Sequence, residues 1–133
     1  MSRNEEYQYL LRRSKEFYET ALMQIDKGFL GLAALSLEQS LQLFLKAKLL
    51  ENGLDYPRTH SIRRLLELLA EVIGMPLSQR INQLIDKYSL ELALLEDAYI
   101  TSRYIPRDFR KDDVLKLKKA VEEVMTVVSQ PAN

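Results

Sequence analysis

The stretch that decides the fold is LGLAALSLEQSLQLFLKAKLL, residues 30–50. Ala33, Ala34, Leu37, Leu41, Phe44 and Leu45 return at three- and four-residue steps, which sets them on one face of a helix; a strand would alternate at every second residue. Leu32, Leu35 and Leu43 widen that face, so the helix needs cover on more than one side. Glu38, Gln39, Gln42, Lys46 and Lys48 interrupt the run before it reaches the unbroken apolar length of a membrane span. The segment therefore reads as the core helix of a soluble domain.

The flanking chain repeats the pattern. Tyr7, Leu10, Leu11, Phe17, Tyr18, Ala21, Leu22 and Ile25 form one face of an earlier helix that breaks at Gly28. After residue 50, Asn52 and Gly53 supply a left-handed stop, and Pro57 stiffens the loop that follows. Thr59 or Ser61 can cap a short third helix carrying Ile62, Leu65, Leu66, Leu69 and Val72, closed by Gly74 and Pro76. Ile81, Leu84, Ile85, Tyr88, Leu92, Leu95 and Tyr99 predict one long fourth helix from Leu77 to about Ser102, with Pro106 at or beyond its end. Asp112 or Asp113 can cap a last helix with a seam of Val114, Leu117, Val121, Val124 and Val128. Short connections between long helices favour antiparallel neighbours. The expected fold is all-α: one domain over residues 1–133, an antiparallel up-and-down four-helix bundle with an additional short helix.

Composition narrows the function. Lys plus Arg and Asp plus Glu are equal at 19 each, so no global field draws the chain to nucleic acid or an anionic membrane, and neither is expected as a partner. The chain has no cysteine, which removes disulfides, thiolate nucleophiles and thiolate metal sites. Its single histidine, His60, leaves little room for a nucleophile–histidine–carboxylate triad. Gly28, Gly31, Gly53 and Gly74 stand too far apart for a phosphate-cradling loop, and no zinc or calcium motif occurs, so no cofactor or metal is expected. Glu38, Glu67, Glu71, Glu91 and Glu96 read as solvated helix faces, and none is assigned a catalytic role. Met1 to Glu5 carries no apolar signal core, which points to the cytoplasm.

Two short motifs carry a resemblance. The first is Gln39-Ser40-Leu41-Gln42-Leu43-Phe44-Leu45-Lys46-Ala47, followed by Gly53, Pro57 and Thr59-His60-Ser61-Ile62-Arg63-Arg64-Leu65-Leu66. The second is Tyr99-Ile100-Thr101-Ser102-Arg103-Tyr104-Ile105-Pro106. In this order they resemble the HEPN family, with Gln42 where the family usually has Glu and Ile105 as an extra residue before Pro106. The resemblance implies a helical bundle, often a homodimer, frequently paired with a small nucleotidyltransferase in a two-part, toxin–antitoxin-type system. Ribonuclease members carry an arginine followed after four to six residues by histidine; Gly53, Leu54 and Asp55 occupy those positions before His60. The closer likeness is to the helical domain of kanamycin nucleotidyltransferase, whose helices help form the substrate site.

Four residues are singled out for nucleotide or partner binding. Arg103 offers a planar fork for phosphate and Tyr104 a ring for stacking, although Arg103 can equally tie the helix end to its loop. His60 can hydrogen-bond a phosphate or base, or brace the loop. Lys46 can enter a cleft, or cover core surface with its stem. Tyr88 and Tyr99 read as core residues. The expected function is a noncatalytic binding module; the alternatives are an interaction protein in which these residues only brace the fold, and a ribonuclease with an unfamiliar site.

Overall fold

The structure, a computed structural model, describes residues 1–104 and 108–131, with residues 101–104 as backbone only. Within these residues the chain is all-helical. Its elements are α1 (Arg3–Asp26), α2 (Leu30–Glu51), α3 (Ile62–Ile73), α4 (Leu77–Lys87), α5 (Ser89–Tyr104) and α6 (Lys111–Val128).

Local signals account for most of the boundaries. Ser2 caps α1: its hydroxyl accepts from the Glu5 amide at 3.1 Å, and Glu5 answers by accepting from the Ser2 amide at 3.3 Å. α2 stops where Gly53 takes a positive φ of 80°, which a side chain would resist, and the Gly53 amide donates to the Leu50 carbonyl at 3.0 Å. Of the two possible caps for α3, Ser61 is the one used, accepting from the Arg64 amide at 3.1 Å. At α6 the N-cap position belongs to Arg110, not to Asp112 or Asp113; Asp113 sits in the first turn and accepts from the Arg110 amide at 3.2 Å.

The single long fourth helix is corrected to two. Tyr88 leaves helical geometry at φ −107° and ψ 27°, and its buried ring fills the elbow between α4 and α5. Its hydroxyl donates to Glu123 of α6, beside the Lys87–Glu123 ion pair at 3.0 Å, so the elbow is fastened from outside.

α2 is the centre of the fold and packs against α1, α3, α5 and α6. Leu37, Leu41, Leu45 and Leu49 are fully enclosed, each burial stabilising by about 1.5–3 kcal/mol relative to exposure. Against α1 the contact is close enough for a buried serine pair: the Ser14 hydroxyl donates to the Ser40 carbonyl at 2.6 Å, and the Ser40 hydroxyl to the Ser14 carbonyl at 2.8 Å. Among the described residues, no helix is long and apolar enough to cross a membrane.

Candidate functional site

His60 lies exposed on the loop that enters α3, and the residues on both sides fix its place. The Thr59 amide donates to the Pro57 carbonyl at 2.9 Å, and the Thr59 hydroxyl accepts from the Ser61 amide at 3.1 Å. Downstream, Ser61 does more than cap α3. Its hydroxyl also donates to Glu96 Oε1 at 2.8 Å, and the same oxygen accepts from the Arg63 amide at 3.0 Å. Glu96 thus brings a carboxylate from α5 to the positive end of α3. The Arg63 guanidinium adds a second tie, donating to the Ser89 hydroxyl at 2.9 Å.

With the start of α3 held on α5, His60 is laid over Tyr99, one turn beyond Glu96. The two rings stack with centroids 4.2 Å apart and an interplanar angle of 21°, and the Tyr99 hydroxyl lies 3.3 Å from His60 Nε2. Tyr99 is half-exposed, so it is not the core residue that its periodicity suggests, whereas Tyr88 is. Arg103 and Tyr104 follow Tyr99 in the last turn of α5; their side chains, and Pro106, lie outside the described residues.

Lys46 sits in a different set of contacts. Its Nζ donates to Gln42 Oε1 at 3.0 Å and stands 5.4 Å from the centre of the Tyr56 ring. Gln42 Nε2 donates in turn to Glu38 Oε2 at 2.7 Å, and Gln39 Nε2 to Glu38 Oε1 at 2.7 Å. Glu38 is 0% exposed, which overturns its reading as a solvated face. Burial pulls the Lys46 amine below the usual lysine range, and the charge on Glu38 opposes that pull. Tyr56 donates to Glu6 Oε2 at 2.8 Å, and Arg3 pairs with Asp55 at 2.9 Å, so the loop leading to His60 is also tied to α1. Among the described residues no hydrogen bond, ion pair or ring contact joins Lys46 to His60. There is also no group of three or more metal-ligating side chains among them.

A family model of the HEPN domain matches residues 7–130, which takes in nearly all of α1 to α6. The chain belongs to the HEPN family. No curated protein matches it. In this HEPN domain Gln42 bridges Glu38, one turn earlier on α2, to Lys46, one turn later.

Three of the residues that build the site escaped the sequence reading. Glu96 and Tyr99 act across more than thirty residues of chain, through contacts that no local pattern records. Glu38 did leave a signal: α2 is apolar nearly all round, and a polar residue on such a helix is enclosed with its neighbours.

Proposed function

We propose that this HEPN domain is a noncatalytic module that binds a nucleotide, or a small nucleotidyltransferase presenting one, at the His60 loop and the last turn of α5. The observation that carries this reading is the exposed imidazole stacked on Tyr99, one turn before Arg103. A ring held flat at the surface offers its outer face to a base, a contact worth about 1–3 kcal/mol. A guanidinium one turn on can take the phosphate through charge-assisted bonds worth about 1.5–3 kcal/mol. Tyr104 adds a second ring, and Lys46 a further cation from α2. In this reading the chain works as a cytoplasmic homodimer, an up-and-down bundle whose partner is the second half of a toxin–antitoxin-type system.

Calorimetry with a panel of nucleoside mono-, di- and triphosphates, and with a minimal nucleotidyltransferase encoded beside the gene, tests it. Binding weakened by Arg103→Ala and His60→Ala, with melting temperatures nearly unchanged, supports the site. No binding, or binding indifferent to both changes, overturns it.

A second reading, a purely interacting protein in which these residues brace the fold, is favoured by the Glu96–Ser61–Arg63 ties, which already give the His60 loop a structural purpose. It expects the same substitutions to lower stability and leave no specific binding defect. The dimer is supported by exposed Met23, Phe29 and Leu32, at 58%, 53% and 50%, around the turn between α1 and α2. A monomer by light scattering at tens of micromolar would remove it.

A further inference from the structure

The chain of contacts Glu38–Gln42–Lys46 has only one possible direction. An ionised carboxylate accepts and cannot donate, so Gln39 and Gln42 must both turn their amide N–H groups to Glu38. Gln42 is then obliged to present its carbonyl oxygen to Lys46, which only donates. An enclosed carboxylate costs desolvation energy that a leucine here would avoid, and α2 already fills its core face with leucines. The ladder that starts at Glu38 ends in an ammonium group at the half-buried edge of α2, over the face of Tyr56.

We infer that Glu38 is a positioning residue: through Gln42 it fixes the direction of the Lys46 ammonium, so that this part of α2 presents a cation to an anionic ligand. This rests on the proposed inclusion of Lys46 in the binding site. The charged and titratable groups facing Lys46 among the described residues are Glu38 on its own helix and Tyr56 from the loop, with Glu6 and Asp55 behind Tyr56. Burial works against the ammonium and Glu38 works for it. Removing the carboxylate leaves burial unopposed.

The test reads Lys46 directly, by NMR titration of the full chain labelled with ¹³C-lysine, its Cε signal assigned by its loss in Lys46→Arg. In the unmodified chain Lys46 titrates below the usual lysine range. Glu38→Gln, which keeps shape and removes charge, lowers the midpoint further. Gln42→Glu, which puts a carboxylate directly against the amine, raises it. A midpoint unmoved by both changes, in variants whose circular dichroism shows an intact fold, overturns the inference; should Glu38→Gln fail to fold, an unmoved or lowered midpoint in Gln42→Glu does so alone. Adenosine triphosphate titrated into the same proteins separates the two claims. If the unmodified chain binds none of it or of the other nucleotides, the nucleotide reading fails, while the lysine midpoint still decides the role of Glu38. If it binds, weaker binding in Glu38→Gln supports the inference, and equal binding overturns it.

Discussion

Glu96 caps a helix that it does not belong to: from α5 it accepts the Ser61 hydroxyl at 2.8 Å and, with the same oxygen, the Arg63 amide at 3.0 Å at the start of α3. The His60–Tyr99 stack lies directly beside this joint, since His60 precedes Ser61 and Tyr99 follows Glu96 by one turn. The geometry of the candidate site therefore depends on this joint as well as on the two stacked rings.

Glu96→Ala should cost about 0.5–2 kcal/mol, the range for losing a helix cap, because the Arg63 amide loses its acceptor and the Ser61 hydroxyl keeps only its bond from the Arg64 amide. The same change should loosen the stack. Thermal melts give the stability loss, and the ring-proton shifts of His60 report whether Tyr99 still covers it. Unchanged shifts would show that the loop holds His60 without α5.

The purified chain should leave RNA intact. His60 is the one histidine, it stacks on Tyr99, and Gly53, Leu54 and Asp55 stand where the family's nucleases carry their arginine. Incubation with labelled RNA checks this, and metal-independent cleavage that disappears in His60→Ala would establish the opposite.

How much of this was legible beforehand varies from element to element. Periodicity gave the helices α1, α2, α3 and α6 closely, because apolar residues recur at three- and four-residue steps through each of them. The elbow at Tyr88 was hidden for a physical reason: Ile81, Leu84, Tyr88, Leu92 and Leu95 keep helical steps straight through it, and neither Gly nor Pro marks it. Motif order placed His60 and Arg103 as candidates. The partners that hold His60 could not be read, since Glu96 and Tyr99 reach it only when α5 folds back along α3.

The buried serines at the α1–α2 contact offer a clean measure of that interface. Each hydroxyl donates to the other residue's main-chain carbonyl, so Ser14→Ala and Ser40→Ala each remove one bond and leave the other's acceptor in place. A buried hydrogen bond is worth about 1 kcal/mol net. Alanine's better helix propensity returns a few tenths, roughly, of that. Each single change should therefore cost somewhat under about 1 kcal/mol in denaturant unfolding, and because the two serines touch, the double change should depart from their sum. A double variant no less stable than either single one would mean that the two bonds form only together.

Stability should fall off at both ends of the pH scale, through the tyrosine–glutamate bonds that join the helices. Tyr7, Tyr18 and Tyr56 are pushed up to about 12, by burial first and then by Glu51, Glu122 and Glu6 respectively. A tyrosine whose folded value exceeds the usual 10.0 contributes fully below that value and loses its contribution as pH climbs toward about 12. The carboxylates run the other way. Glu123 is held below the usual 4.5 by the Tyr88 hydroxyl and by Lys87. Burial pushes Glu122 up, but the Tyr18 hydroxyl and Lys118 outweigh it, and its net displacement is also downward. A lowered carboxylate stabilises above its unfolded value and stops doing so as pH falls through its folded one. Melting temperature against pH should thus be flat near neutrality, drop below about 4.5 and drop again above about 10. Tyr18→Phe removes one partner from each limb, since the same bond raises Tyr18 and lowers Glu122. Both limbs should become shallower in that variant. A change confined to the alkaline limb would show that Lys118 alone holds Glu122 down.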